Sequence, residues 1–352
     1  MLPYALRRFL WMVPTLLGVT LVVFVALRLA PGDPATVMIG AAGGEAGEGA
    51  DYAARVARFE HARGLDRSLL VQYLGFLGPF NTRPEGHRWF GGSGRDPWGG
   101  LLALDLGNEL QRQSVSIVAE LGRRLAVTVP IALVSIVLIY LLALPLGIYS
   151  AVRQGTRRDA VLTLLLFALY SIPTFWAGLL LILAFGATGL DWLPVIGLHD
   201  QDASALSRGT YAWDAIRHAV LPVVAYTYGG LAYLSRQVRV GMIDQIRQDY
   251  VRTARAKGLS ERVVVLKHVL RNSVLPVITL FASVLPVLIG GSVIVETVFD
   301  LPGMGRYAYE GLLQRDYGIV MATTTFSAFL TLLGILLADL AYAAVDPRIR
   351  YE

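Results

Sequence analysis

The chain has only two lysines, Lys257 and Lys267, and neither stands where it could hold a phosphate. A nucleotide cradle of the type G-x4-G-K-[ST] needs backbone N–H groups and one lysine converging on the phosphates. Here Lys257 is followed by Gly258 and Lys267 by His268. The five histidines, His61, His87, His199, His218 and His268, include no pair four residues apart that would set two imidazoles on one helical face. Cysteine is absent, which removes thiolate metal ligands, cysteine nucleophiles and disulfides. A G-x-S-x-G nucleophile elbow is also missing. The expectation is a chain with no catalytic residues, no metal and no cofactor of its own, and therefore not an enzyme.

Two acids stand out because they sit at the edges of long apolar runs, where burying charge is costly and usually marks function. Glu296 follows one such run and Asp339 interrupts another, seven residues before Asp346. Glu296 is read either as lining a solute path or as anchoring an outside loop. Asp339 is read as pairing with an arginine near the inner interface, or as a proton carrier in a secondary transporter.

The elements that must position these residues follow from composition. The 352 residues are 55% hydrophobic and 16% charged, with a mean hydropathy of +0.55, more apolar surface than one soluble core uses. A net charge of +5 matters less than where the arginines fall. A spanning helix needs about 20 apolar residues. Six runs qualify: Phe9 to Leu27, Leu125 to Val152, Ala160 to Leu190, His218 to Ser235, Asn272 to Val295, and Tyr317 to Ala338. The fourth is short and contains Pro222, Gly229 and Gly230. The first exceeds the usual ~7 to 15 residues of a signal-peptide core and is read as an uncleaved helix.

With six spans and an inside N-terminus, every basic cluster falls on one side. These clusters are Arg7 and Arg8; Arg153, Arg157 and Arg158; the run from Arg236 to Arg271; and Arg348 with Arg350. Both termini are thus expected in the cytoplasm. Deleting the fourth span would put the largest cluster outside. Between the first two spans, Pro31 to Leu121 carries eight arginines and eleven acids and reads as a small extracytoplasmic domain. Within it Gly40 to Ala50 reads as linker, Asp51 to Arg63 as a charged helix, Leu65 to Leu77 as an amphipathic helix, and Pro79 to Gly100 as irregular loop. The expected division is 1–30, tail and first helix; 31–121, outside segment; and 122–352, the core, with an inside loop over 236–272.

That inside loop is the most informative stretch. Asp249 to Lys257 favours helix, Gly258 can end it in the left-handed conformation, and Ser260 can cap a second helix. By composition alone it is equally a basic juxtamembrane loop drawn to anionic lipid. The order Thr253-Ala254-Arg255-Ala256-Lys257-Gly258-Leu259, followed by Arg271-Asn272 and Pro276, resembles the cytoplasmic loop of binding-protein-dependent ABC importer permeases, in the version of the dipeptide and oligopeptide group. Arg252-Thr253-Ala254 occupies the positions of the general E-A-A motif.

The likeness runs along nearly the whole chain. Arg7-Arg8, Pro14-Thr15 and Pro31-Gly32-Asp33-Pro34 resemble the family's first helix and its exit. Gly64-Leu65-Asp66, Gln72-Tyr73 and Leu104-Asp105-Leu106-Gly107 match blocks of its outside segment, and Ser171-Ile172-Pro173, Trp192-Leu193-Pro194 to Gly197 and His218 with Leu221-Pro222 match the middle. Glu296 to Phe299, Pro302-Gly303, Arg315-Asp316-Tyr317 and Asp346-Pro347-Arg348 complete the match.

The resemblance implies an all-α membrane protein with about six transmembrane helices of the type I importer permease fold, a B-type subunit in the inner membrane of a prokaryote. It further implies a second homologous permease chain, two cytoplasmic ATP-binding subunits that hold the ATP and Mg, and an extracytoplasmic solute-binding protein. Tyr250, Ala254, Arg255, Ala256, Lys257, Gly258 and Leu259 would then form the coupling helix that docks on the ATPase. Di- and oligopeptides are the expected solutes. A nickel complex, a sugar or a peptide-like compound is the alternative within the family, and a proton-coupled carrier the alternative outside it.

Overall fold

The apolar runs become helices, and prolines decide where some of them bend. The computed structural model describes residues 2–32, 35, 50–63, 65–78, 99–112, 114–186, 189–200, 207–273 and 291–345. Among these no strand forms beyond the isolated bridges Gly100 with Asp105 and Asn108 with Ser116. The helices are α1 (Leu2–Leu29), α2 (Ala50–Arg63), α3 (Leu69–Leu77), α4 (Ile117–Val152), α5 (Arg157–Ser171), α6 (Thr174–Phe185), α7 (Arg208–Ile246) and α8 (Asp249–Ala256). Then α9 opens at Glu261–Val263, widens into a π-helical stretch over Val264–Val269 and closes at Leu270–Ser273. The series ends with α10 (Val293–Val298), α11 (Met304–Leu313) and α12 (Tyr317–Val345).

Among the described residues, three helices are long and apolar enough to cross a membrane, over Leu6–Leu29, Ile117–Val152 and Tyr317–Leu340, and a fourth span results if the bent pair Arg157–Ser171 and Thr174–Phe185 is taken as one. Large apolar side chains stand exposed along them, Trp11, Val22 and Leu141 among them, a surface that water would not tolerate and lipid would. The run Ala160 to Leu190 is not one straight span. It is broken into α5 and α6, bent by 97°. The cause is Pro173, which has no N–H to continue the helix and pushes the residue before it out of helical geometry: Ile172 is extended, with φ −78° and ψ 121°. The Ile172 carbonyl freed at the break accepts a hydrogen bond of 2.8 Å from the Tyr228 hydroxyl of α7, which removes the penalty for an unpaired carbonyl in an apolar setting.

The short run His218 to Ser235 lies inside the 39-residue helix α7, which continues through Pro222, Gly229 and Gly230. Small residues let α4 approach it. A Cβ on Gly230 would lie 2.5 Å from Ile139 Cδ1, and one on Gly147 would lie 2.7 Å from the Ser235 carbonyl oxygen. Close approach at glycine is how membrane helices gain dispersion contact without a hydrophobic driving force. Of the run Asn272 to Val295, residues 274–290 lie outside the described residues, as do most of Gly40 to Ala50 and Pro79 to Gly100, and all of 346–352.

The chain divides into two compact units. The first holds Met1–Phe9, Val127–Gly303 and Leu330–Glu352. It has two buried clusters, one around Val238, Met242, Val251 and Val264, the other around Leu221, Val295, Phe299 and Leu301. The second holds Leu10–Ala126 and Met304–Phe329, so the polar segment after the first apolar helix shares its core with residues late in the sequence. Phe24, Tyr73, Phe76, Ile117, Met304, Tyr307 and Tyr317 form that core. The amphipathic helix expected over Leu65 to Leu77 is α3, which turns Tyr73 and Phe76 inward. Its Leu69 and Leu70 stay exposed rather than joining the core.

Candidate functional site

The turn at Gly258 is closed by backbone hydrogen bonds. Gly258 has φ +77°, its N–H donates to the Arg255 carbonyl (2.9 Å), and the Leu259 N–H reaches the Ala254 carbonyl (3.4 Å). This pair of bonds around a left-handed residue is the Schellman termination of a helix, and it satisfies carbonyls that α8 would otherwise leave open. Ser260 stands at the N-cap position of α9, yet its side chain makes no capping bond; only its carbonyl is used, by the Val264 N–H at 3.0 Å.

The expected coupling residues separate by face. Val251 and Ala254 are buried in the cluster with Val238, Met242, Val264 and Val265, so Ala254 belongs to the root of α8 and not to its outer face. Tyr250, Arg255, Ala256, Lys257, Gly258 and Leu259 are exposed. Tyr250 donates to Gln245 Oε1 at 2.8 Å. Arg255 donates twice to Glu261, at 3.1 and 2.6 Å, and so joins the end of α8 to the start of α9. Those bonds to Arg255 hold the Glu261 carboxyl below its ordinary value of 4.5 and raise the guanidinium in turn. The result is a short basic projection, rigidly rooted and bare on its far side.

Behind the projection lies an ionic node that neither composition nor motif singles out. Asp159, at 4% exposure, accepts from Arg239 Nε (3.1 Å) and NH2 (2.9 Å), from the Ser150 hydroxyl and from the Gly155 N–H (3.1 Å). One carboxylate thus ties the end of α4, the turn at Gly155, the first turn of α5 and the C-terminal third of α7. Thr156 completes it by capping the Asp159 N–H. The signal in the sequence is Asp159 itself, a lone acid after Arg157 and Arg158, three residues beyond a capping threonine.

The two acids at the span edges are both partnered. Glu296 is 2% exposed and accepts from the Thr128 hydroxyl at 2.9 Å, while Gly303 lies so close that a Cβ there would sit 2.2 Å from its carboxyl carbon. Glu296 is thereby enclosed by its own chain. Asp339 pairs with Arg8 at 3.1 Å. Among the described residues, no contact brings Glu296, Asp339 and the Gly258 turn into one site.

In the second unit, blocks far apart in sequence meet. Arg315 NH1 donates to the Pro31 carbonyl across Gly32, whose φ is +103° and which leaves no room for a Cβ beside that guanidinium. Asp316 caps α12 through the Ile319 N–H (3.1 Å) and also accepts from the Leu110 N–H. Burial pushes its carboxyl above the ordinary range. Glu109 takes two bonds from Arg112 and one from the Tyr307 hydroxyl. Buried charges held this way are joints, since every lone pair used is answered by a donor.

Comparison with known proteins agrees with this architecture. The family model described as the binding-protein-dependent transport system inner membrane component matches residues 143–351, which include α8, the Gly258 turn and Glu296. The oligopeptide transport system permease protein AppB of Bacillus subtilis is 36% identical over 351 residues, covering 100% of both chains. The di/tripeptide transport system permease protein DppB of Pseudomonas aeruginosa is 33% identical over 366 aligned positions, and the dipeptide transport system permease protein DppB of Escherichia coli K12 is 30% identical over 370, each again over 100% of both chains. With likeness of this kind along its full length, and with its apolar helices, the chain belongs to the family of inner membrane components of binding-protein-dependent transport systems.

Proposed function

We propose that the chain is a transmembrane permease subunit of an ATP-driven importer for di- and oligopeptides. It forms the solute pathway with a second, homologous permease chain. Two cytoplasmic ATP-binding subunits supply the energy, and an extracytoplasmic binding protein delivers the solute. Full-length likeness to permeases named for oligopeptide, di/tripeptide and dipeptide transport supports the peptide reading. The chain crosses the membrane six times, both termini are inside, and 31–121 lies outside; the one-sided distribution of arginines supports that arrangement.

The observation that carries the coupling role is α8, pinned by Val251 and Ala254 on one face and bare on the other. Tyr250 and Leu259 offer apolar area to a groove on the ATPase, Ala256 permits close approach, and Arg255 and Lys257 steer toward an acidic rim. Because Val251 shares a core with Val238 and Met242 of α7, a displacement of α8 moves α7 as a body instead of bending the loop. Reconstitution in vesicles tests the reading. The full set of subunits should accumulate a labelled dipeptide only with ATP. Accumulation by this chain alone would overturn it.

A further inference from the structure

Near its start, helix α7 carries Asp214 and His218 four residues apart on one face, and the loop before it brings Asp200 to the same point. Each of the three offers a ligand atom, and those atoms lie within 4.8 Å of one another. His218 is 3% exposed, and its Nδ1 lies 2.9 Å from the Asp214 carbonyl oxygen. A neutral imidazole in that position donates from Nδ1 and keeps its lone pair on Nε2. Nε2 faces Asp200 Oδ1 at 3.6 Å. Two lone pairs turned on one another repel unless a cation lies between them.

The surroundings fit that cation. His199 Nδ1 lies 2.9 Å from Asp214 Oδ2, and the Asp200 N–H donates to the same oxygen at 3.2 Å; Oδ1 lies 3.3 Å from His218 Nδ1 and keeps a second lone pair for a ligand bond. His199 is itself fixed by stacking on Tyr211, with ring centroids 3.9 Å apart. Metal-binding imidazoles almost always donate their other N–H to a carbonyl or carboxylate, and ligating carboxylates are hydrogen-bonded in turn. At metal–ligand bonds of ~2.1 Å, the edge of a tetrahedron is about 3.4 Å, near the 3.6 Å between Nε2 and Oδ1. One nitrogen and two carboxylate oxygens suit zinc and its transition-metal neighbours, whereas calcium and magnesium prefer oxygen alone.

We propose that Asp200, Asp214 and His218 form a site for a divalent cation of the zinc class, which clips the loop before α7 to the N-terminal third of that helix. The loop's near end is already held: Leu193, Val195 and Leu198 pack on the cluster of Leu221, Phe299 and Leu301, and the Gly197 N–H donates to the Phe299 carbonyl at 2.9 Å. The cation fixes the far end. This inference does not rest on the transport reading, since it concerns binding to the chain by itself.

The test uses the purified full chain in lipid nanodiscs, stripped with a chelator and titrated with Zn2+ against a chromophoric competitor, then with Co2+ for its visible absorption. One saturable Zn2+ equivalent and a Co2+ band characteristic of mixed nitrogen and oxygen ligands are expected. Asp200→Asn should weaken Zn2+ by at least about tenfold, and His218→Gln should abolish the Co2+ band. Asp200 is exposed, so its replacement leaves the fold intact and keeps the test valid should His218→Gln fail to insert. Zn2+ should raise Tm for the wild-type chain and not for Asp200→Asn. Absence of saturable binding, as when a proton on His218 bridges the carboxylates instead, would overturn the proposal. So would equal affinity in the wild type and Asp200→Asn, the mark of adventitious binding elsewhere.

Discussion

The Arg255 guanidinium closes on the Glu261 carboxylate through two hydrogen bonds, spanning the left-handed residue Gly258 that lies between them. Neither side chain is buried, so the pair adds little to stability. Its effect is geometric. With the backbone bonds of the turn, it sets the angle between α8 and α9, and that angle is what a docking projection must keep.

Replacing Gly258 tests the angle directly. A Cβ at this position meets nothing within 4 Å, so a clash is not the obstacle; the obstacle is φ +77°, which costs an L-residue roughly 1–2 kcal/mol and a β-branched one more. Gly258→Val should insert normally and lose at least about tenfold in ATP-dependent uptake by the assembled importer. Gly258→Asn, which tolerates this conformation, should retain most of it. Equal activity of the two variants would detach the turn from transport.

The strap also has a pH signature. Because Arg255 lowers the Glu261 carboxyl in the folded chain, its contribution is present above the unfolded value of 4.5 and disappears as the pH falls through the folded value, which lies below that. Between pH 5 and 8 the contribution is flat. Glu261→Gln should therefore lower Tm slightly at neutral pH, by under about 1 kcal/mol of stability, and the gap from wild type should close in strong acid. Thermal unfolding in detergent at neutral and acidic pH checks both.

Asp159 carries more. Removing one partner of a buried ion pair strands the other, at a cost on the order of 3 kcal/mol. Asp159→Ala should lower Tm well beyond any change at the exposed strap, and Arg239→Met in the same chain should recover part of the loss. A double-mutant cycle measures that coupling. Additive losses would mean the two residues act separately.

Much of this was legible in the sequence where a local rule acted alone. The positive φ at Gly258 follows from neighbouring residue types, whereas the arginine partner of Asp339 is Arg8, at the far end of the chain. The bend at Pro173 is legible there too, as a proline in an apolar run, but the hydroxyl of Tyr228 that donates to the freed Ile172 carbonyl comes from another helix. Asp159 with Arg239, and Asp214 with His218 and Asp200, escaped for a related reason. The first pair is 80 positions apart, and the second carries no His-x3-His spacing, because the helix pairs an aspartate with a histidine. Ala254 was assigned to the docking surface by motif, yet helical phase sends it to the core.

Glu296 separates two readings that the sequence left open. If it touched the passing solute, Glu296→Gln would change KM for uptake and leave stability alone. Its setting argues otherwise, since Thr128 and the bare Cα of Gly303 enclose it. A methyl at Gly303 would force the carboxylate aside, and overpacking of this kind typically costs about 1–3 kcal/mol. Gly303→Ala should therefore lower Tm of the purified chain, and Glu296→Ala should lower it as well. The double variant should lose less than the sum, because the added methyl then fills space the carboxylate has left. Additive losses, or a shift in KM with unchanged Tm for Glu296→Gln, would return Glu296 to the solute path.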